Sequence, residues 1–135
     1  GAETTPAVSY HVVDPSTIDP FPDREAEPRP ISQAAGLSKR DAKLGLRTYT
    51  AAPGEQLPAM YHYHDEQVEA FFIVEGTLHV ETPEGELAVP EEQVFLVDPG
   101  NPHRAFNPSD ADAPVRVLAI GAPSVEDHHP YEPDG

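Results

Sequence analysis

A chain of 135 residues with a formal net charge of −16, 24 acidic side chains against 8 basic ones and no cysteine excludes several functions at once. Phosphate backbones and anionic lipid surfaces would be repelled rather than neutralised, so neither nucleic acid nor a membrane is an expected partner, and no run approaches the roughly 18 apolar residues of a spanning helix. Without thiols there are no disulfides and no thiolate metal sites, so any metal must be held by nitrogen and oxygen.

The length is that of one domain. Its first part, 1–36, holds six prolines by residue 30, as in VDPSTIDPFPDREAEPRP. Each proline lacks a backbone donor and restrains its predecessor, which predicts an extended arm rather than a helix or a central strand. Within it Val8, Tyr10 and Val12 alternate and are expected to add to a sheet edge, while Ser32 to Leu37 suits one short helical turn. From 37 to 121 the pattern changes to short strand-like runs, LGLRTYT, MYHYH, EAFFIVE, TLHVE, ELAV, QVFLV, HRAFN and VRVLAI, separated by turn signals. Those signals are Pro53-Gly54, Glu75-Gly76, the TPEG turn ending at Gly85, and DPGNP at 98–102, where Pro99 and Gly100 suit the central positions of a type II turn. The prediction is an all-β sandwich or small barrel without an internal repeat. The stretch 122–135, APSVEDHHPYEPDG, reads as an irregular tail.

The chemistry concentrates in YHYHDEQVE, Tyr61 to Glu69. On a strand, residues two apart share a face about 6.6 Å from one another, so the His62 and His64 rings can converge on one ion about 2 Å from each. Tyr61 and Tyr63 then face the other way. Glu69 has the wrong parity for a continuous strand, but a turn over Asp65, Glu66 and Gln67 resets the register and returns it antiparallel to the histidines, with Phe71 and Ile73 on its face. His103 follows the rigid PGNP turn and opens HRAFN, well placed to aim inward. Three imidazoles and one carboxylate would fill four positions of an octahedron and leave two open.

The chain resembles the cupin family at these residues. The family's first motif is a glycine, HxH, three or four residues, a glutamate, six residues and a glycine. His62, Tyr63, His64, Glu69 and Gly76 match it, with the leading Gly54 two positions farther upstream than usual. Its second motif, glycine, five residues, PxG, two residues, histidine, three residues, asparagine, is met by Gly100, His103 and Asn107. Asp98 stands where the proline would be and Glu92 where the first glycine would be, departures that concern turn geometry. The resemblance spans about Leu44 to Ile120. It implies a double-stranded β-helix (jelly-roll) barrel, often a homodimer, with His62, His64, Glu69 and His103 as ligands of one divalent transition metal: iron, manganese, nickel, cobalt, copper or zinc. The acidic character and the arm from VVDPSTIDPFPDR are also similar to haloarchaeal cupins, and the composition fits a protein of concentrated salt, where charge repulsion is screened. GAETTPAVSY lacks the regions of a secretory signal, so a cytoplasmic location is expected.

Other polar residues have plainer readings. His79 alternates with Leu78 and Val80 and belongs on the face opposite the apolar one; His11, His128 and His129 sit in irregular flanks and read as solvated. Phe71, Phe72, Ile73, Phe95 and Leu96 read as core or dimer interface. Tyr61 and Tyr63 are expected against the arm or a partner subunit, and Glu66 as an exposed turn carboxylate. Arg47 and Arg104 flank the motifs, either to receive an anionic substrate or to offset nearby acids. The implied function is a metal-dependent oxygenase or isomerase acting on a small molecule. The alternatives are a small-ligand or metal-binding module for sensing or storage, and a barrel whose metal serves only stability.

Overall fold

Val, Ile, Phe and Leu at every second position need a pleated surface that buries one face, and the chain answers with two antiparallel sheets. The computed structural model describes residues 10–37, 43–58 and 60–133. After a 3-10 turn at Pro15–Thr17 come β1 (Arg29–Pro30), α1 (Ile31–Ala34), β2 (Gly45–Ala51), β3 (His62–His64), β4 (Val68–Glu75), β5 (Leu78–Thr82), β6 (Gly85–Val89), β7 (Val94–Val97), β8 (Arg104–Phe106), β9 (Val115–Ala122) and β10 (His128–Pro130). One sheet runs β1-β2-β9-β4-β7 and the other holds β6-β5-β8. The pair β3-β10 extends the second sheet, because the His62 amide donates to the His103 carbonyl at 3.1 Å and the His103 amide donates back at 2.9 Å. This is the two-sheet jelly roll expected from the resemblance. Among the described residues no helix is long and apolar enough to cross a membrane.

The core lies between the sheets. Tyr49 and Ala51 of β2, Phe71 and Ile73 of β4, and Val115, Val117 and Ala119 of β9 meet Leu78 and Val80 of β5, Val89 of β6 and Ala105 of β8. Parity divides the aromatic run: Phe71 and Ile73 are buried and Phe95 packs partly against them, while Phe72 and Leu96 face outward. Asn107, 3 % exposed, donates from Nδ2 to the carbonyls of Ala51 (3.0 Å) and Ala113 (2.9 Å), closing one end of the barrel. Gly76 is held at φ +84, where an added Cβ would meet the Pro114 carbonyl at 2.7 Å.

All eight predicted strands form, but the flanks differ from expectation. Tyr10 and Val12 are exposed and belong to no strand, and Val8 lies outside the described residues. The edge is extended instead by Arg29 and Pro30, opposite Thr48 and Arg47 of β2. An edge is where a residue without an N–H can stand, and the arm is anchored by Ala26, buried in the core with its carbonyl accepting from the Thr50 amide. The helical turn begins at Ile31, one residue before the predicted Ser32. The tail contributes β10, His128 pairing with His64, His129 with Tyr63 and Pro130 with His62.

Candidate metal centre

Three local devices deliver the four candidate side chains. His62 and His64 alternate on β3, as the spacing predicts. Glu69 does not return beside them in a hairpin: β3 and β4 lie in different sheets, and the 65–67 turn carries the chain across the sandwich. The carboxylate therefore meets the imidazoles face to face, which satisfies the parity problem without pairing the two strands. His103 enters beside His62 after the turn in which Gly100 takes φ +85, and the Gly100 amide is itself bonded to the His64 carbonyl. His62, His64 and His103 are buried, and Glu69 opens to the cavity with 16 % of its side chain exposed.

The hydrogen bonds on the far side of each ring set its protonation. His64 Nδ1 faces Asp127 Oδ1 at 2.9 Å, His103 Nδ1 faces the Asn101 carbonyl at 2.9 Å, and His62 Nδ1 faces the Met60 carbonyl. None of these partners has a hydrogen to give, so each Nδ1 carries a proton, and a ring with no second proton aims its Nε2 lone pair inward. There His62 Nε2 and His64 Nε2 stand 3.1 Å apart, and Glu69 Oε1 lies 2.9 Å from the Nε2 of both His64 and His103 and 3.7 Å from that of His62. Lone pairs and a carboxylate converging in this way repel unless a cation sits among them. Ligands bonded to one ion at about 2.1 Å and at right angles lie about 3.0 Å apart, close to the spacing of three of these four pairs. The four donor atoms, all within 4.8 Å of one another, could hold a divalent transition ion.

Protons are the alternative cation. Burial alone would raise the Glu69 carboxyl, but hydrogen bonds with the His103, His62 and His64 rings hold it far below the ordinary carboxylate range. Burial also opposes charging of His64, yet its bonds to Glu69 and Asp127 outweigh that and raise it above the ordinary imidazole value. A metal would displace a proton from this cluster.

The donors open into a cavity of about 690 Å³. His62, His64 and Glu69 line it together with Arg47, Tyr49 and Gln67, the arm residues Phe21 and Arg24, and Ser124 to Glu126 and His128 from the tail. Burial holds the Tyr49 phenol above its ordinary value, with Arg47 partly offsetting. Two residues of the segment read as an irregular tail, one of them the histidine read as solvated, thus belong to the site. Asp127 fixes His64 and accepts the amides of Glu66 (2.6 Å) and Gln67 (3.0 Å), and His128 faces the cavity with its ring centroid 6.1 Å from that of His62. The only local signal was acidic and histidine side chains in DHH; the pairing that brings them here spans more than sixty residues.

The remaining candidates lie elsewhere. His79 bonds Glu86 at 2.9 Å on the outer face of β5, as alternation predicts. Glu66 is exposed and lines no part of the cavity. Tyr61 and Tyr63 pack on the tail, against Tyr131 (4.9 Å between centroids) and His129 (5.2 Å). His129 also bonds Asp65 at 2.6 Å. Of the two flanking arginines, Arg47 lines the cavity, whereas Arg104 is engaged by Glu81 at 2.8 Å and lies over the Phe106 ring.

Residues 47–121 match the family model for the cupin domain, more than half of the chain. The chain is a cupin. Solved structures agree on the fold. A cupin-superfamily sugar phosphate isomerase from Silicibacter pomeroyi DSS-3 is 22 % identical, with a TM-score of 0.68 over 84 % of this cupin and 76 % of that chain. A conserved protein with a double-stranded β-helix domain from Klebsiella pneumoniae is 14 % identical, with a TM-score of 0.72 over 97 % and 99 %. The polyketide cyclase RemF from Streptomyces resistomycificus is 16 % identical, with a TM-score of 0.72 over 93 % and 87 %. No curated protein matches the cupin by sequence.

Proposed function

We propose that this cupin holds one divalent transition metal through His62, His64, Glu69 and His103 and acts on a small organic molecule in the adjoining cavity, as an isomerase or an oxygenase. The observation that carries the metal is the convergence of one carboxylate and three inward Nε2 atoms, each on a ring whose outward nitrogen is committed to a hydrogen bond. When bound, such an ion supplies a Lewis acid or, if it is iron, a site for oxygen chemistry.

The chain's own residues favour proton chemistry. His128 shares the cavity face of β10 with His64 opposite it, and imidazole is the side chain that most often moves protons in enzymes. The carboxamide of Gln67, held by the Pro123 carbonyl at 3.0 Å, and the phenol of Tyr49 are positioned to orient a substrate. That two of the similar structures are a sugar phosphate isomerase and a polyketide cyclase supports, without assigning, a reaction on an oxygen-rich small molecule. The test is elemental analysis of protein purified without added metal, alongside His64→Ala and Glu69→Gln. One ion per chain in the wild type and little in either variant, with β-rich circular dichroism kept, is expected; full occupancy in the variants would overturn the ligand set. Iron with substrate-dependent oxygen uptake would select oxygenation.

A homodimer is part of this reading. Ala70 and Phe72 of β4 stand opposite Leu96 and Val94 of β7 on the outer face, where antiparallel sheets normally turn polar side chains to water. Phe72, Val74, Val94 and Leu96 are exposed there. On a chain of net charge −16, an uncharged apolar face is where a second copy can approach without repulsion.

A further inference from the structure

The cavity draws on two of the chain's few basic residues. Arg24 and Arg47 are two of only 8 basic residues in the chain, and both line it. In a protein with 24 acidic side chains, neither makes an ion pair among the described residues, whereas Arg104, outside the cavity, does. Their guanidinium carbons lie 5.7 Å and 5.2 Å from the centroid of the Phe21 ring. Such packing orients a guanidinium by its face and leaves its N–H edge free for an oxyanion.

The backbone around Arg24 is shaped at a cost. Asp23, Ala26 and Glu27 all take positive φ, 59, 66 and 40°, a region that side chains other than glycine rarely adopt. This course buries Ala26 while Phe21 and Arg24 remain on the cavity. Arg47 comes from β2. In the sheet it faces Ala119, which faces Phe71, two residues along β4 from Glu69. At ordinary strand spacings its Cα is about 12 Å from that of Glu69, so a group held by its side chain lies within reach of a ligand a few carbons long. The acids that share the cavity are Glu69, which faces the imidazoles, and Glu126, which is exposed.

We propose that Arg24 and Arg47 form an anion subsite that seats the carboxylate or phosphate group of a small organic ligand whose other end reaches the His62, His64, Glu69 and His103 donors. The second half of that statement rests on the proposed function; the first does not. Inorganic phosphate and succinate are titrated calorimetrically into the full chain at low chloride, and the metal content of each sample is measured. Arg47→Gln and Arg24→Gln should each weaken the preferred anion about tenfold, since each removes a charge-assisted contact, with metal content and melting temperature unchanged. A preference for phosphate marks a phosphate ester as the ligand, and a preference for succinate a carboxylate. Wild-type affinity that neither substitution lowers, or binding of neither anion at roughly 10 mM, would overturn the subsite and leave the metal reading intact. Arginine-dependent binding by a wild-type protein that takes up no metal would instead sustain the subsite and remove the metal.

Discussion

Asp127→Ala takes away one carboxylate that holds three donors, His64 Nδ1 at 2.9 Å and the amides of Glu66 at 2.6 Å and Gln67 at 3.0 Å. Loss of such an outer partner lets a ligating imidazole turn and choose the other tautomer, which typically costs about 10–100-fold in metal affinity, or about 1.4–2.7 kcal/mol. The metal-free protein loses stability as well. Bonds to a charged acceptor contribute about 1.5–3 kcal/mol each, but the two amides lie in a turn where water replaces the carboxylate, so a total of about 2–3 kcal/mol is expected. Asp127→Asn keeps the shape and one acceptor but not the charge and should fall between. Affinity is read by competition with a chromogenic chelator, and stability by urea unfolding of chelator-treated protein. If Asp127→Ala binds metal as tightly as the wild type, the inward lone pair on His64 is not set by the tail.

Three further outcomes are expected. Because His64 is raised above 6.5 in the metal-free fold, its contribution to stability is fully present below pH 6.5 and is lost as pH rises through the raised value; metal affinity runs the other way, falling as protons reclaim the ring. Urea midpoints of metal-free protein from pH 6 to 9 that do not decline, or a metal affinity indifferent to pH, would contradict this. Glu92 holds φ 66 at the third position of the Pro90–Gln93 turn, a conformation that suits glycine, so Glu92→Gly should raise stability by up to about 1 kcal/mol, whereas Gly76→Ala should lower it; a destabilised Glu92→Gly would mean that the side chain earns its place. Leu96→Glu should shift the mass measured by light scattering from dimer to monomer without changing circular dichroism, and a monomeric wild type would remove the interface.

The barrel was legible because its signals are local. Alternation predicted Leu78 and Val80 inward with His79 outward, and turn chemistry predicted the positive φ at Gly100. The four donors were legible because their spacing follows strand and turn geometry within two short segments. What escaped depends on contacts between distant residues. The pairing of His128 with His64 has no period to betray it in a segment of three strand residues. Pro30 in a strand runs against propensity and is permitted only because β1 is an edge. Parity at Glu69 correctly demanded a break after His64, but a hairpin and a crossing between sheets look the same in DEQV.

Nearly half of the residues that wall the cavity come from outside the segment that defines the family. Phe21 and Arg24 precede residue 47, and Ser124 through His128 follow residue 121. Part of the molecular discrimination thus resides outside the stretch that carries the donors, and exchanging either flank could redirect the same barrel to a different compound without disturbing its ligating atoms.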